Sequence, residues 1–282
     1  MRYSPTLFAV ALFLFLFPCA VHVTRGADKP ALEGSGKVTP DGKGIERLVK
    51  QLGSDEFKER EAASSALRKV GKAALNALLK AAKGNDDLEV RTRAARLIRA
   101  IRDDLARPID LGPHVNQQLN ERFHNYHPGN DLASLPKGRQ TFAGVKFTVG
   151  VGVVQLGAGK PNKVEGIKVG VKAEKLHFLH AGGHQNGAPL NTPIGKYVVH
   201  YADRTKAEVE VAYGRDVVDW WVQPGVADPT RGKVAWEGEN KLSRVKLFLT
   251  TWENPSPDKR IVAIDYVAAK SNPFCVAITA EE

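Results

Sequence analysis

The chain has 282 residues, enough for two domains, and 43% of them are hydrophobic, so the composition supports buried cores. The formal net charge of +10 is compatible with acidic partners such as polyanionic glycans or a lipid headgroup surface. The Lys and Arg residues are scattered, however, whereas a nucleic-acid-binding surface needs them clustered. The composition therefore argues against a nucleic-acid partner and leaves a solvated basic surface as the simplest interpretation.

The first 26 residues are typical of a secretory signal peptide. Arg2 precedes an apolar run at residues 7–17, which is shorter than the ~20 residues of a membrane-spanning helix. Pro18 and a possible cleavage zone follow, so we expect export to the periplasm, the cell surface or the extracellular space. An uncleaved segment that anchors the chain in the membrane is the alternative. Removal of the segment leaves Cys275 alone, which excludes an intramolecular disulfide, and its apolar neighbours predict a buried thiol.

Residues 27–43 are predicted to be a flexible linker, because they are rich in Gly, Pro, Lys and Asp and have no apolar period.

Residues 44–107 are predicted to be helical and contain a repeat. Residues 54–70 align without gaps on residues 85–101, an offset of 31 residues that is typical of helical repeat units. Ser54 and Asn85 are the candidate N-caps of the two equivalent helices.

In this alignment Phe57 matches Leu88 and Leu67 matches Ile98, and the helical segment resembles short HEAT-type repeats. The resemblance covers about sixty residues and implies a small α-solenoid that contacts a partner protein. Because ~3 repeats are needed for independent stability, a spacer packed on the next domain is the alternative. Several arginines of the last helix are predicted to form a solvated face, with a docking site as the alternative; they are Arg91, Arg93, Arg96, Arg99 and Arg102.

Residues 108–282 are predicted to form short strands joined by Gly, Pro and Asn turns, without the alternation of strands and helices that a parallel sheet requires. This pattern predicts an antiparallel β-sandwich or jelly roll, and the whole chain is predicted to be multidomain, α followed by all-β. The predicted strands lie near residues 142–154, 167–171, 176–180, 197–201, 209–213, 232–237, 245–252, 261–267 and 274–279.

Several short sequence motifs, taken in their order along the chain, resemble those of a known domain family. The set comprises DLGPHVN at residues 110–116, residues 129–147, LHFLH at 176–180, GKYVVHYAD at 195–203, DWW at 219–221 and TWENPSP at 251–257. Together the phrases resemble a β-jelly-roll accessory domain of the galactose-binding-like type, which occurs in secreted bacterial proteins and beside glycoside hydrolases. The resemblance implies a sandwich fold and carbohydrate binding. The chain departs from the family at Arg204, where the usual hairpin turn has Gly, so a longer or type I turn is expected.

The adjacent Trp220 and Trp221 are the main indication of a ligand surface. Neighbouring residues of a strand point to opposite faces, so one ring enters the core and the other is available to a sugar. Core filling by both rings is the alternative, and Trp236 and Trp252 are expected to fill the core. The candidate ligand-binding residues are Trp220, Trp221, Asp219, Arg215, His180 and Tyr126.

The histidines do not predict a metal site. His177, His180 and His184 are closely spaced, but a strand places the first two on opposite faces. His180 is expected to be a hydrogen-bonded residue at a strand end, whereas His124, Tyr126 and His127 are expected to form a polar loop beside a cleft. Asn130 and Asp131 are residues of the type that bind calcium, but two adjacent side chains are too few to define a site, and no cofactor is expected.

The motifs of hydrolases and nucleotide-binding proteins are absent from the sequence, which has no G-x-S-x-G and no phosphate-binding Gly loop. We therefore expect a non-catalytic exported protein that binds carbohydrate or glycan through residues 108–282. The helical repeats would then serve as a spacer or contact another envelope protein. A protein–protein scaffold with a purely structural jelly roll is the alternative, and a glycoside-active enzyme is a third possibility.

Overall fold

The computed structural model describes residues 40–183, 188–269 and 271–282. The predicted signal peptide, most of the predicted linker and His184 lie outside the described residues. In the described part, no helix combines the length and the apolar character that crossing a membrane requires. The linker prediction is wrong at its last residues, because the first helix begins at Gly42 and the side chain of Asp41 caps it by accepting the Gly44 N–H (2.8 Å).

Four α-helices make up the described residues before Ala106 and share one hydrophobic core. They are α1 (Gly42–Gln51), α2 (Phe57–Val70), α3 (Leu75–Gly84) and α4 (Leu88–Leu105), with a short 3₁₀ helix at Gly71–Ala74 between α2 and α3. The aligned residues Leu67 and Ile98 are both buried, as the 31-residue repeat predicts. Gly71 ends α2 with a φ of 66°, a conformation that favours glycine.

The two aligned helices begin later than predicted. Their N-caps are Glu56 and Asp87 instead of Ser54 and Asn85. The Ser54 and Asn85 side chains accept the N–H two residues on, at 3.2 and 2.9 Å, so each forms a tight turn before its helix. An arginine then binds the carbonyls of that turn in both repeats: Arg60 at 2.7 and 2.9 Å, and Arg91 at 2.6 and 2.9 Å.

The described residues from Ala106 onward form thirteen strands. They are β1 (Ala106–Ile109), β2 (Gln117–Gln118), β3 (Gly138–Phe142), β4 (Val145–Val149), β5 (Gly152–Gln155), β6 (Lys163–Lys172), β7 (Lys175–Gly183), β8 (Pro193–Tyr201), β9 (Lys206–Ala212), β10 (Lys233–Glu239), β11 (Arg244–Glu253), β12 (Arg260–Ala268) and β13 (Asn272–Glu281). Short 3₁₀ turns lie at Gly112–His114 and Phe123–Asn125. The prediction of helices followed by antiparallel strands is confirmed, although the strand predicted over residues 142–154 is divided into β3, β4 and β5 by two turns.

The strands pair antiparallel in three sheets. The larger sheet has the order β10-β11-β7-β13-β5-β2, the smaller sheet has the order β6-β12-β8-β9, and β3 and β4 form a separate hairpin. One edge of β13 is shared, because its first half pairs with β5 and its second half pairs with β1. Strand β13 is therefore central, which explains why residues 273–280 are all buried.

The two larger sheets face each other as in a β-sandwich. The ring of Tyr197 in β8 stacks on Phe178 in β7 at 4.0 Å and on Tyr266 in β12 at 4.5 Å between centroids. Cys275 lies in the same core, and burial raises the pKa of its thiol to about 12. The prediction of a buried thiol is therefore confirmed.

The turn between β8 and β9 is a type I turn, one of the two kinds expected from the absence of Gly at position 204. The Arg204 N–H donates to the Tyr201 carbonyl (3.0 Å), and Arg204 takes the positive φ of 71° that a glycine would otherwise adopt. The Tyr201 N–H donates to the Thr205 carbonyl (3.0 Å), so the strands resume pairing directly after Arg204. A type I turn followed by a left-handed residue gives this pattern.

The helices and the sheet are continuous, because α4 ends at Leu105 and β1 begins at Ala106, so the predicted domain boundary at 107/108 falls inside β1. Ion pairs join the two parts: Lys72–Glu174 (2.9 Å), Asp103–Lys146 (2.8 Å) and Arg107–Glu282 (3.0 Å). Such exposed pairs contribute ~0–1 kcal/mol each, so the pairing of β1 with β13 is the stronger connection.

Candidate functional site

The two adjacent tryptophans lie in different environments. Trp220 is 2% exposed and packs against Phe123 and Phe274, with both centroids 5.4 Å from its own. Trp221 is only half-buried and packs against the margin of the same core. Trp220 is therefore the core residue of the pair, and Trp221 is the ring that reaches the surface.

Three rings form an aromatic surface: Trp221, Tyr126 and His127. The Tyr126 ring is 39% exposed and meets Trp221 edge to face at 5.5 Å, and His127 meets Tyr126 in the same way at 4.7 Å. The Trp221 indole N–H donates to Asn130 Oδ1 (2.9 Å), and the Trp221 backbone N–H donates to Asp219 Oδ1 (2.9 Å). The first bond orients the indole, and the second fixes the backbone that carries it.

Asn130 links the aromatic surface to the loop that carries Tyr126. Its side-chain N–H donates to the Phe123 carbonyl (3.2 Å), and its own carbonyl accepts the Phe123 N–H (2.7 Å), which closes the loop at residues 123–130. His124 and Asn125 inside the loop have φ values of 59° and 53°, a left-handed conformation that costs non-glycine residues free energy. The closed loop fixes Tyr126 beside Trp221.

Three predicted site residues lie away from the aromatic surface. Trp220 fills the core, and His180 lies inside the sandwich, where its ring bonds to the Tyr197 hydroxyl (3.1 Å) and to Thr250 Oγ1 (2.9 Å). Burial lowers the pKa of His180 to about 4. The Arg215 guanidinium donates to the buried carboxylate of Asp216 (3.0 Å). The structure thus brings Trp221, Tyr126 and Asp219 together and places the other three elsewhere.

The remaining tryptophans are less buried than expected. Trp236 and Trp252 are half-buried and pack against the margin of the core instead of filling it. Trp236 follows a bulge in β10 and covers Gly238, where an added Cβ would lie 2.3 Å from the ring. The edge position of β10 explains this partial burial, because only one neighbouring strand, β11, covers it.

The structure gives no support for a metal site among the described residues, where no group of three or more His, Cys, Asp and Glu side chains is placed to hold an ion. His177 and His180 have partners on opposite faces of β7, as the strand period predicts. The side-chain oxygens of Asn130 and Asp131 serve the loop: Asn130 Oδ1 accepts the Trp221 indole N–H, and Asp131 Oδ1 accepts the Ala133 N–H (3.0 Å).

Sequence reasoning missed a polar cluster on the other side of β7. The His177 ring lies between Thr251 Oγ1 (2.9 Å) and Glu281 Oε2 (3.2 Å), residues that are 74 and 104 positions away in the chain. The available signal was the alternation of β7, which puts His177 opposite the core-facing His180. The pairing of β7 with β11 and β13 supplied the rest, and a single sequence does not show it.

The chain matches no protein-family model, and a search of curated proteins finds no matching relative. The geometry of the aromatic surface and of the polar cluster is therefore the basis on which a function is assigned.

Proposed function

We propose that the protein is a non-catalytic binding protein that takes carbohydrate at the aromatic surface. The observation that carries the proposal is the edge-to-face pair of the exposed Tyr126 and the half-buried Trp221, whose indole is fixed by Asn130. Sugar rings present C–H groups that pack on aromatic faces, and amphipathic rings combine large contact area with few rotatable bonds. A ring that is already oriented loses little conformational entropy when a ligand binds.

We also propose that the sheets form a jelly roll, that the helices form a HEAT-like module and that the chain is exported. The two facing antiparallel sheets suit a galactose-binding-like jelly roll, and the repeated turn contacts of Arg60 and Arg91 suit a HEAT-like module. The apolar run at residues 7–17 supports export to the periplasm, the cell surface or the extracellular space.

The test uses the full chain on a glycan array, followed by calorimetry with the best ligand. Truncation of a central aromatic contact costs ~2 kcal/mol, so we expect Trp221→Ala and Tyr126→Ala each to weaken binding roughly thirtyfold. Trp252→Ala is the matched control, because it removes another half-buried tryptophan away from the aromatic surface, and it should bind within about twofold of the unmodified chain. Unchanged binding by both Trp221→Ala and Tyr126→Ala would refute the proposal, as would turnover of a glycoside that depends on one acidic residue.

A second candidate function is a scaffold that docks another envelope protein on the helices. The supporting observation is that Phe57 and Leu88, which occupy equivalent positions of the repeat, are 62% and 67% exposed. For a purified partner, Phe57→Ser together with Leu88→Ser should abolish association while Trp221→Ala leaves it intact. The reverse result would assign the interface to the aromatic surface.

A further inference from the structure

The outer face of the larger sheet, turned away from the smaller sheet, carries two polar rows. Register places His177 of β7 between Thr251 of β11 and Thr279 of β13. In the adjacent row on the same face, Lys175 of β7 lies between Glu253 of β11 and Glu281 of β13.

This face forms one wall of a cavity of about 300 Å³. The other walls are the last turn of α4 and the turn between β3 and β4. The volume is near the lower end of the ~300–1,000 Å³ typical of small-molecule sites, and it suits a ligand of roughly monosaccharide size. Four basic and two acidic side chains line the cavity, a net charge of +2 without His177; they are Arg102, Lys146, Lys175, Lys233, Asp103 and Glu281.

Most of these charges already have partners. Lys146 pairs with Asp103 (2.8 Å), and Lys175 pairs with Glu253 (3.3 Å). The hydrogen bond from His177 lowers the pKa of Glu281, with smaller contributions from Lys175 and Arg102, so this carboxylate stays ionised and balanced by its neighbours.

Among the described residues, two of the cations form no direct ion pair, although Arg102 acts on Glu281 at longer range. Within the described ranges, neither Arg102 nor Lys233 forms an ion pair or a hydrogen bond through its side chain. They come from different elements, α4 and β10, and both line the cavity. Two unpaired cations beside a cavity with a net positive charge favour an anionic ligand, because Arg and Lys bind oxyanions through short charge-assisted hydrogen bonds.

We propose that this cavity binds a compact oxyanion, the carboxylate, sulfate or phosphate group of a small ligand, with Arg102 and Lys233 as its charged contacts. The His177–Thr251 and His177–Glu281 hydrogen bonds hold the floor of the site rigid. The site is separate from the aromatic surface and does not depend on carbohydrate binding there.

The test is calorimetric titration of the full chain with sodium sulfate, phosphate and acetate at constant ionic strength, with chloride as the background anion. At least one oxyanion should bind and displace chloride, and the strongest of the three identifies the group. Glucuronate and glucose 6-sulfate then distinguish a sugar acid or sulfate ester from the free ion. Because one charge-assisted contact is worth ~1.5–3 kcal/mol, Arg102→Gln and Lys233→Gln should each weaken binding at least about tenfold.

Arg99→Gln is the matched control, because Arg99 is an exposed arginine one turn earlier on α4, and it should bind within about twofold of the unmodified chain. Trp221→Ala should also retain the oxyanion, which separates this proposal from the aromatic surface. The proposal is overturned if no oxyanion binds more tightly than chloride, or if Arg99→Gln weakens binding as much as Arg102→Gln. Lys233→Gln, on the exposed edge strand, decides the question should Arg102→Gln impair folding.

Discussion

The buried imidazole of His180 makes the stability of the protein sensitive to mild acid. Its side chain is 1% exposed and bonds to Tyr197 and Thr250 inside the sandwich. Burial lowers the pKa of His180 from 6.5 to about 4; the nearby Asp216 opposes that shift, and Arg231 adds to it. The folded chain therefore keeps the ring neutral at a pH where the unfolded chain protonates it.

The size of the effect follows from the difference between the two pKa values. Each pKa unit corresponds to ~1.4 kcal/mol, so the stability that His180 preserves above pH 6.5 falls by about 3 kcal/mol as the pH approaches 4. Between pH 7 and pH 4.5 the loss is ~2 kcal/mol. The direction is a loss on acidification, because a lowered folded-state pKa means that the unfolded state binds the extra proton.

The assay is urea unfolding at pH 7 and pH 4.5 for the unmodified chain and for His180→Gln. The variant is less stable at pH 7, but its free energy of unfolding should fall by ~2 kcal/mol less over this pH interval than that of the unmodified chain. Carboxylates that titrate in both proteins cancel in the comparison. His127→Gln, which removes an exposed histidine, should keep the full pH dependence. Equal pH dependence for the unmodified chain and His180→Gln would refute the assignment of this loss to His180.

Two further predictions concern the backbone. Gly232→Ala would place a Cβ 1.8 Å from the Asp216 carbonyl oxygen, a backbone atom that cannot rotate away, so we expect the free energy of unfolding in urea to fall by about 3 kcal/mol. Gly150→Ala is the control, because no atom lies within 4 Å of the added Cβ, and it should change the free energy of unfolding by less than ~1 kcal/mol. Similar losses for both variants would contradict the steric argument. Arg204→Gly removes the cost of a positive φ and should raise the unfolding free energy by ~0.5–1 kcal/mol in the same assay, whereas a decrease would show that the arginine side chain stabilises the turn.

Local pattern was sufficient to predict most of the strands, although it missed β1 and β2, but it did not predict which strands pair. Alternation along β7 separates His177 from the core-facing His180. Trp220 and Trp221 differ in exposure as predicted, but they lie between β9 and β10 with only an isolated bridge at Trp221, so strand alternation is not the cause. The apolar run of β13 is continuous because both of its faces are covered, which is the signature of a central strand. Strand order and register depend on contacts between distant residues, and a single sequence does not encode them in any local period.

The candidate site shows the same division. The sequence predicted that one ring of the Trp pair reaches the surface, but not which one. That Trp221 is this ring depends on Asn130, 91 residues earlier in the chain, which accepts the indole N–H of Trp221. The helix starts were missed for a more local reason: both Asn85 and Asp87 can cap, and Asn85 is used in a preceding turn whose carbonyls Arg91 satisfies. The start of α4 thus depends on which of two nearby capping side chains bonds to the first helical N–H groups.

The direct passage from α4 into β1 has a mechanical consequence. A force that pulls on the helices enters the sheet at Ala106 and is carried by the four residue pairs between β1 and β13, the most central strand of the larger sheet. No flexible linker separates α4 from β1 and extends before the sheet is loaded, because the two elements are consecutive in the chain. The helices therefore cannot swivel freely on the sheet, and a load applied to one part is transmitted to the other along the main chain.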